Sequence, residues 1–451
     1  MNTDYILSVW NKVLTIPARD VDTSFFELGG TSMGALNVLS HYFNDHLEMS
    51  LSEFYEHPTA AGQAALLGGD HSRKALTRLP AAEPVKPVPP VPAPAPVKPC
   101  KGSKKVLVTG ATGFFGAHLV HELISRGQQV ICLLRDGNRD RLDECLAWYF
   151  GQGSLLRARK LVTVVKGDIS LPRLGMDEAD YATLAAQLGE IYHSAADVRH
   201  YVSEADSYLS VNLGGTANML ELAKAAQASF YYMSTCSVSG DHLRTGGSAE
   251  FTEADYDIGQ IWEENIYVKS KFLAEGQVLK ASEEGLNVKI FRLGRLVGRA
   301  SDGVFQRNPE SNVFFLILNA FRQLGAIPTK SAAEKIDLMP IDICARQVLA
   351  LKDGDSRIYH IMDSDPPTLS DVMQAVAPGI SIVDDDDFAR ILSEKAPQMD
   401  KELAALLMDH WRRSKVNPPV ITVTNELTQA HLRQAGFSQE IPAPEQILLA
   451  F

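Results

Sequence analysis

The stretch Lys105-Val-Leu-Val-Thr-Gly110-Ala-Thr-Gly113-Phe-Phe-Gly116 decides how the rest of the chain is read. Val106, Leu107 and Val108 form a short apolar run that ends in three glycines, Gly110, Gly113 and Gly116. An apolar pattern with helical spacing follows, through Leu119, Val120, Leu123 and Ile124. The stretch predicts a strand, a tight turn and a helix. Glycines let a backbone bend sharply and approach a pyrophosphate, which then meets the free N–H groups at the helix N-terminus. The spacing is G-x-x-G-x-x-G rather than the G-x-G-x-x-G of the dinucleotide fingerprint, so a strand–helix turn without a ligand also fits.

Outward from this turn, strand and helix patterns alternate, which predicts a doubly wound parallel sheet. The second strand is expected at 129–134, just before Arg135. An acidic residue at this distance past the glycines would hold the ribose 2′-hydroxyl of NAD. Arg135 stands there instead, with Arg139 and Arg141 behind it. A guanidinium matches the 2′-phosphate of NADP, although a solvated basic loop is the bland alternative. A strand over 161–166 leads into Gly167-Asp168-Ile169, where Asp168 would accept a hydrogen bond from the adenine amine. Ala195 and Ala196 follow the next strand end, and Asn212-Leu-Gly-Gly-Thr216 opens another helix.

Two later segments carry chemistry. A strand over 230–234 places Thr235 at its C-terminal end, the edge where open α/β sheets bind ligands. Tyr267-Val-Lys-Ser-Lys271 falls on a later helix, and residues four apart share one helical face. Of the 13 tyrosines only Tyr267 has lysine at i+4. A neighbouring ammonium favours the phenolate and would bring its pKa down from about 10. A proton donor to a carbonyl needs that. The same spacing also suits a solvated surface. Cys236 is read as packing, since no histidine is placed in sequence to activate it.

Residues 1–72 read as a small four-helix bundle, opened by Ile6, Val9, Trp10 and Val13 on one helical face. The run Phe25-Phe-Glu-Leu-Gly-Gly-Thr-Ser32 puts Ser32 at a helix start, where serine commonly serves as a cap. Between 80 and 99 stand nine prolines, interleaved with Ala, Val and two lysines. Such a segment favours polyproline II at ~3.1 Å per residue, so it reads as a semi-rigid spacer of ~60 Å within a linker over 73–104.

The run ending in Ser32, with Trp10 before it and His57-Pro-Thr59 after it, resembles a peptidyl carrier domain of nonribosomal peptide synthetases. The glycine turn, Gly167-Asp168, Ser234-Thr235 and Tyr267-x-x-x-Lys271 resemble the extended short-chain dehydrogenase/reductase family from about 105 to 351. That match ends in Lys335-Ile-Asp-Leu-Met-Pro-Ile-Asp342. Together the two are most similar to the terminal thioester reductase of nonribosomal peptide and polyketide synthetases. The resemblance implies a Rossmann-type NADP-binding domain over 105–300 and a mostly helical substrate cap over 301–451, partly interleaved with the sheet. The acidic run 384–387 would belong to that cap.

The same resemblance implies that Ser32 carries 4′-phosphopantetheine with an acyl or peptidyl thioester, and that NADPH lies across the glycine turn. Its expected contacts are Gly110, Thr112, Gly113, Phe114, Phe115, Gly116, Arg135, Arg141, Asp168, Ile169, Ala195, Ala196, Asn212, Tyr267, Lys271 and Gly294. Tyr267 and Thr235 would stabilise the oxyanion, while Lys271 tunes Tyr267 and grips the nicotinamide ribose. Release would give an aldehyde, and a second hydride transfer an alcohol. Three rivals remain: a nonreductive cyclase on the same scaffold, a sugar-nucleotide epimerase or dehydratase fused to a carrier, and a scaffold that only docks partners. Expected partners are a phosphopantetheinyl transferase and either an upstream synthetase module or an adenylation enzyme acting in trans. The chain is expected to be a fragment of a longer synthetase or to be loaded in trans.

Bulk properties narrow the classes. A net charge of −12 argues against nucleic acid or an anionic membrane as a general partner. Five cysteines without C-x-x-C spacing suggest neither a zinc site nor a disulfide framework, and no apolar run approaches the ~20 residues of a membrane span. A cytoplasmic enzyme is expected. Incubation with a phosphopantetheinyl transferase and coenzyme A should raise the intact mass by one arm, and Ser32→Ala should show no gain. An unchanged gain in that variant would remove the carrier assignment.

Overall fold

The computed structural model describes residues 2–14, 17–30, 34–35, 38–39, 41–42, 47, 49, 53–54, 57–68, 104–198, 209–262, 266–415, 421–438 and 440–449. Ser32 and the proline-rich stretch lie outside the described residues. In the N-terminal part, helix α1 (Thr3–Trp10) is capped by Asn2, whose side chain accepts from the Asp4 amide, and it buries Ile6, Val9 and Trp10. Helix α2 (Ala60–Gly68) supplies Gln63, whose buried amide oxygen accepts from Trp10 Nε1 at 3.1 Å and from the Tyr42 hydroxyl at 2.6 Å. Phe25 packs edge-on against Trp10 and Phe54, with ring centroids 5.1 and 5.2 Å away. A side chain at Gly30 would overlap the Phe25 ring, and Gly29 has φ +84°. Packing on Phe25 therefore fixes the turn that precedes Ser32. Ala405, from the far end of the chain, is buried in the same apolar cluster.

Residues alternate along the strands of the larger unit, as a two-residue period requires. In β1 (Lys105–Thr109), Val106 and Val108 enter one core layer and Leu107 the other. In β2 (Val130–Leu134), Val130, Cys132 and Leu134 join the first layer, Ile131 and Leu133 the second. With β3 (Val162–Lys166), β4 (Leu188–His193), β5 (Ser229–Thr235), β6 (Val288–Leu293) and β7 (Ile358–Ile361), they form a seven-stranded sheet ordered β7-β6-β5-β4-β1-β2-β3. Every neighbouring pair is parallel.

A parallel sheet must be covered on both faces. Helices α3 (Phe114–Ser125) and α4 (Arg139–Leu161) cover the first. Helices α5 (Glu178–Gln187), α6 (Gly215–Ala226) and α7 (Ile266–Glu283) cover the second. The chain then leaves the sheet in α8 (Val313–Leu324) and returns to the first face with α9 (Ile341–Leu351) and the edge strand β7. This is the form the interleaving takes: α9 and β7 belong to the sheet, although they follow part of the cap.

The cap closes with α10 (Leu369–Val376), α11 (Asp385–Lys395) and α12 (Lys401–Lys415), which pack on α8 through Phe321, Met373, Phe388, Leu407 and Trp411. The acidic run 384–387 caps α11: Asp384 accepts from the Asp387 amide at 2.8 Å, and the other carboxylates sit in the first turn, where the helix dipole favours them. Helix α13 (Glu426–Gln434) lies against β7. No described helix is long and apolar enough to cross a membrane, and no described cluster of His, Cys, Asp and Glu could hold a metal ion.

Two glycines test this packing in opposite directions. A Cβ at Gly116 would press into the Gly110 carbonyl, whereas one at Gly153, two residues past the kink at Gly151 that divides α4, meets nothing within 4 Å. Gly116→Ala should destabilise the protein by about 1–3 kcal/mol. Gly153→Ala should stabilise it by about 0.5–1 kcal/mol. Denaturant midpoints of the two variants check the signs.

Candidate active site

Between β1 and β4 the chain reverses its progress across the sheet, which opens a crevice beyond the strands' C-terminal ends. Two loops interlock there. The Ser194 hydroxyl donates to the Thr109 carbonyl at 2.7 Å, and the Ala195 amide donates to Thr109 Oγ1 at 3.1 Å. Gly110 has φ +71°, and a side chain on it would crowd Ala195 and Ser194. Gly113 stands at the N-cap of α3 and offers no side-chain acceptor, so the first amides of that helix face the crevice without a side-chain cap. Uncapped amides of this kind bind phosphate groups.

The rest of the turn divides by role. Phe115 is buried in the core, and Gly116 allows α3 to approach the Gly110 carbonyl. Phe114 packs against Phe305 and Tyr149, while the Thr112 carbonyl accepts from Cys145 Sγ at 3.6 Å.

Three arginines follow β2, and they differ. Arg139 donates to Asp143 and to the Val162 carbonyl, both at 2.7 Å, and so ties α4 to β3. Arg135 is 80% exposed with Nε 3.8 Å from Asp168, and Arg141 is 64% exposed with Nη1 3.7 Å from Asp136. These two cations are free to turn to a phosphate. Asp168 accepts from the Ser170 amide and hydroxyl at 2.9 and 2.7 Å. Burial pushes its carboxyl up, but Ser170 and Arg135 outweigh burial and hold it below the usual range. Ile169 packs on Gly215, and its carbonyl accepts from Asn218 Nδ2 at 2.7 Å. Ala195 and Ala196 lie in the loop leaving β4.

Thr235 is the last residue of β5, and its Oγ1 accepts from the Ser237 amide at 3.2 Å. Helix α7 carries Tyr267 and Lys271 one turn apart. Asn212 joins α7 to the loop after β4. Its Nδ2 donates to the Asp197 carbonyl at 3.0 Å and to Ser270 Oγ at 2.9 Å, and its Oδ1 accepts from the Asp197 amide. Ser270 Oγ in turn donates to the Tyr267 carbonyl at 2.7 Å. Lys271 is buried, donates from Nζ to the Met233 carbonyl at 2.5 Å, and lies 4.2 Å from the centre of the Tyr232 ring.

The expected lowering of Tyr267 by Lys271 is not found. Burial holds the phenol up at about 12, and burial also pulls the Lys271 amine down to about 7 against the attraction of Glu275. Desolvation disfavours both charged forms and exceeds their mutual effect. Gly294 has a structural reason of its own: a side chain there would collide with Asp337, which accepts from the amides of Arg295 and Asp363. Burial raises Asp337 to about 6, against those amides.

Sequence reasoning missed the support beneath this site. His193 bridges Thr109 at 2.8 Å and Thr216 at 3.2 Å, and burial keeps it neutral down to about 3. Glu275 and Arg292 form a fully buried ion pair one turn beyond Lys271. The i+4 step from Lys271 to Glu275 was the available signal for the latter. Cys236 donates to the Arg292 carbonyl at 3.2 Å, and burial lifts its thiol well above the usual range, consistent with packing.

Known proteins supply the comparison. A model described as phosphopantetheine attachment site matches residues 4–67. A nonribosomal peptide synthetase of Aspergillus flavus is 27% identical over 95% of this chain, which spans 42% of that synthetase's length. A thiolation-reductase di-domain from an archaeal non-ribosomal peptide synthetase superposes with a TM-score of 0.83 at 26% identity, covering 99% of this chain and 95% of that one. The terminal R domain from the myxalamid biosynthetic pathway gives 0.65 at 26% identity, over 78% of this chain and 90% of that one. A carrier domain followed by a Rossmann-type parallel sheet is thus the shared architecture. The NAD-binding family described as male sterility protein matches residues 108–348, more than half of the chain, and the chain belongs to that family.

Proposed function

We propose that the chain carries out NADPH-dependent reductive release of an acyl or peptidyl thioester from its own carrier domain. The observation that carries this reading is the joining of two units in one chain. A phosphopantetheine attachment domain precedes a Rossmann-type unit whose switch-point rim bears Thr235, Tyr267 and Lys271. The tether over 80–99 raises the effective concentration of the loaded arm at that rim.

The residues present suit NADPH. The uncapped amides of α3 would take the pyrophosphate, and Arg135 with Arg141 the 2′-phosphate, where an acidic residue would be needed for NAD. Bound NADPH supplies the hydride. The thioester carbon gains that hydride and loses its bond to sulfur, leaving an aldehyde and a free thiol.

Tyr267 and Thr235 would meet the carbonyl oxygen as negative charge grows on it, an interaction stronger in the transition state than in the ground state. Lys271, held by the Met233 carbonyl, places a positive charge one turn from Tyr267 and so eases proton transfer from its hydroxyl. A phenol held at about 12 stays protonated until it is needed as a donor. The 1–72, 73–104, 105–300 and 301–451 division assigns the last segment to the acyl group. A phosphopantetheinyl transferase would prime Ser32, and an upstream module or an adenylation enzyme in trans would load it.

Tyr267→Phe keeps the ring and removes only the proton donor. Single-turnover release from the loaded carrier should fall by ~10²–10⁴. NADPH affinity should barely change, while Lys271→Ala should damage both. Loss of NADPH absorbance reports hydride transfer. Near-normal release by Tyr267→Phe with NADPH consumed would exclude the tyrosine as donor and leave Thr235 or a bound water as the oxyanion partner, whereas release without loss of NADPH would favour the nonreductive cyclase.

A further inference from the structure

Helix α7 carries Tyr267, Lys271 and Glu275 at i, i+4 and i+8, all on one face. The face ends in a buried chain of polar groups. Glu275 and Arg292 are both fully buried, and Arg292 donates to the carboxylate from Nε at 3.1 Å and from Nη2 at 2.8 Å. Arg292 Nη1 lies 3.0 Å from His360 Nε2, and His360 Nδ1 lies 2.6 Å from the Thr424 carbonyl. The guanidinium can only donate, so Nε2 accepts and the histidine proton sits on Nδ1, donating to Thr424. Phe251 closes the chain, with its ring centre 4.6 Å from the guanidinium and its plane stacked on His360.

We propose that Glu275 is a positioning residue, the buried counterion that keeps Lys271 an ammonium beneath Tyr267, and that Arg292, held by His360 and Thr424, limits how much of that negative charge Lys271 feels. An ion pair serving packing alone would need no third charge, yet Lys271 precedes Glu275 by one turn on the helix face, and among the described residues it meets the Met233 carbonyl and the Tyr232 ring.

Among the described residues, the other titratable side chains packed at this face are neutral, and Asp337, raised by burial to about 6, acts on it only from beyond Cys236. From β4 comes His193, kept neutral by burial. From β5 comes Tyr232 and from the turn after it Cys236, both pushed well up by burial. Tyr256 and Tyr267 are raised by burial too, Tyr256 well above the usual phenol range and Tyr267 to about 12. Asn212 and Thr216 on the α6 side carry no charge, and Lys224 of α6 pairs with Glu284 at the far, exposed end of α7. Among the described residues, Lys271, Glu275 and Arg292 are therefore the charges on this face, with Asp337 acting from beyond Cys236 and Asp255 from beyond His360.

The role assigned to Lys271 rests on the proposed reduction, so the test reads its charge directly, in the cofactor-free protein. With 13Cε-labelled lysine, the Lys271 resonance, assigned by its loss in Lys271→Arg, gives a titration midpoint by NMR. Glu275→Gln removes the attraction and should lower the midpoint by roughly one pH unit or more. Arg292→Met frees the carboxylate and should raise it. Each single variant strands a buried charge and should lose stability, whereas Glu275→Gln with Arg292→Met is neutral and should regain the melting temperature while the midpoint stays low. That pattern separates counterion from packing, and the double variant decides the matter if a single one fails to fold. The alkaline limb of kcat/KM for hydride transfer should move with the midpoint. Midpoints that stay put, that move the same way in both single variants, or that return with stability in the double variant would overturn the proposal. Absence of hydride transfer in the unmodified enzyme would instead overturn the proposed function and leave the titration result standing.

Discussion

The Gly110 carbonyl occupies the space that a side chain at residue 116 would fill, and the rim of the sheet is built around that approach. With no Cβ at 116, α3 packs close enough to β1 for its N-terminus to face the crevice. With φ +71° at Gly110, the turn clears Ser194 and Ala195 on the loop from β4. The two hydrogen bonds from that loop to Thr109 then lock the crevice open at the switch point. The same constraint that orders the turn exposes the amides that suit a phosphate. His193 and Thr216 continue the support underneath, and Asn212 carries it across to α7.

Much of this is legible in the sequence. The unbroken apolar runs Val106-Leu-Val108 and Val130-Ile-Cys-Leu-Leu134 mark strands buried on both faces, and the Tyr267–Lys271 spacing marks one helix face. The limits have physical causes. The edge strand Ile358–Ile361 pairs with β6 only after the chain has detoured through α8 and α9, so nothing local announces it. A glycine says that a side chain will not fit but not what fills the space, which is why Gly294 faces Asp337 and Gly30 faces Phe25. Glu275 and Arg292 drew no reading from the sequence, which does not reveal that each will meet the other in the core. The pKa of Tyr267 was misjudged because the charge of Lys271 was weighed without the burial that both share.

A buried ion pair contributes little net stability, since desolvation offsets most of the attraction. Its value here lies in placing charge. Three ionisable groups on or against α7 are removed from water at the base of the rim, where a small change in one alters the others strongly. Thr424, which accepts from His360, also links the far end of the chain to Phe251 through its amide at 3.0 Å. The C-terminal segment thus helps hold the guanidinium that shares the carboxylate with Lys271. Stability and chemistry draw on the same residues in this part of the molecule.

The central claim is that hydride from a nicotinamide cofactor reaches the carbon of an acyl group tethered to the same chain. Loading the carrier with an acyl-pantetheine, adding NADPH deuterated at the transferred position and analysing the released product by mass spectrometry tests it directly. The account predicts an aldehyde with one deuterium on the former thioester carbon, or an alcohol with two, and matching consumption of NADPH. A released acid or cyclic product without deuterium, with NADPH unchanged, would contradict it.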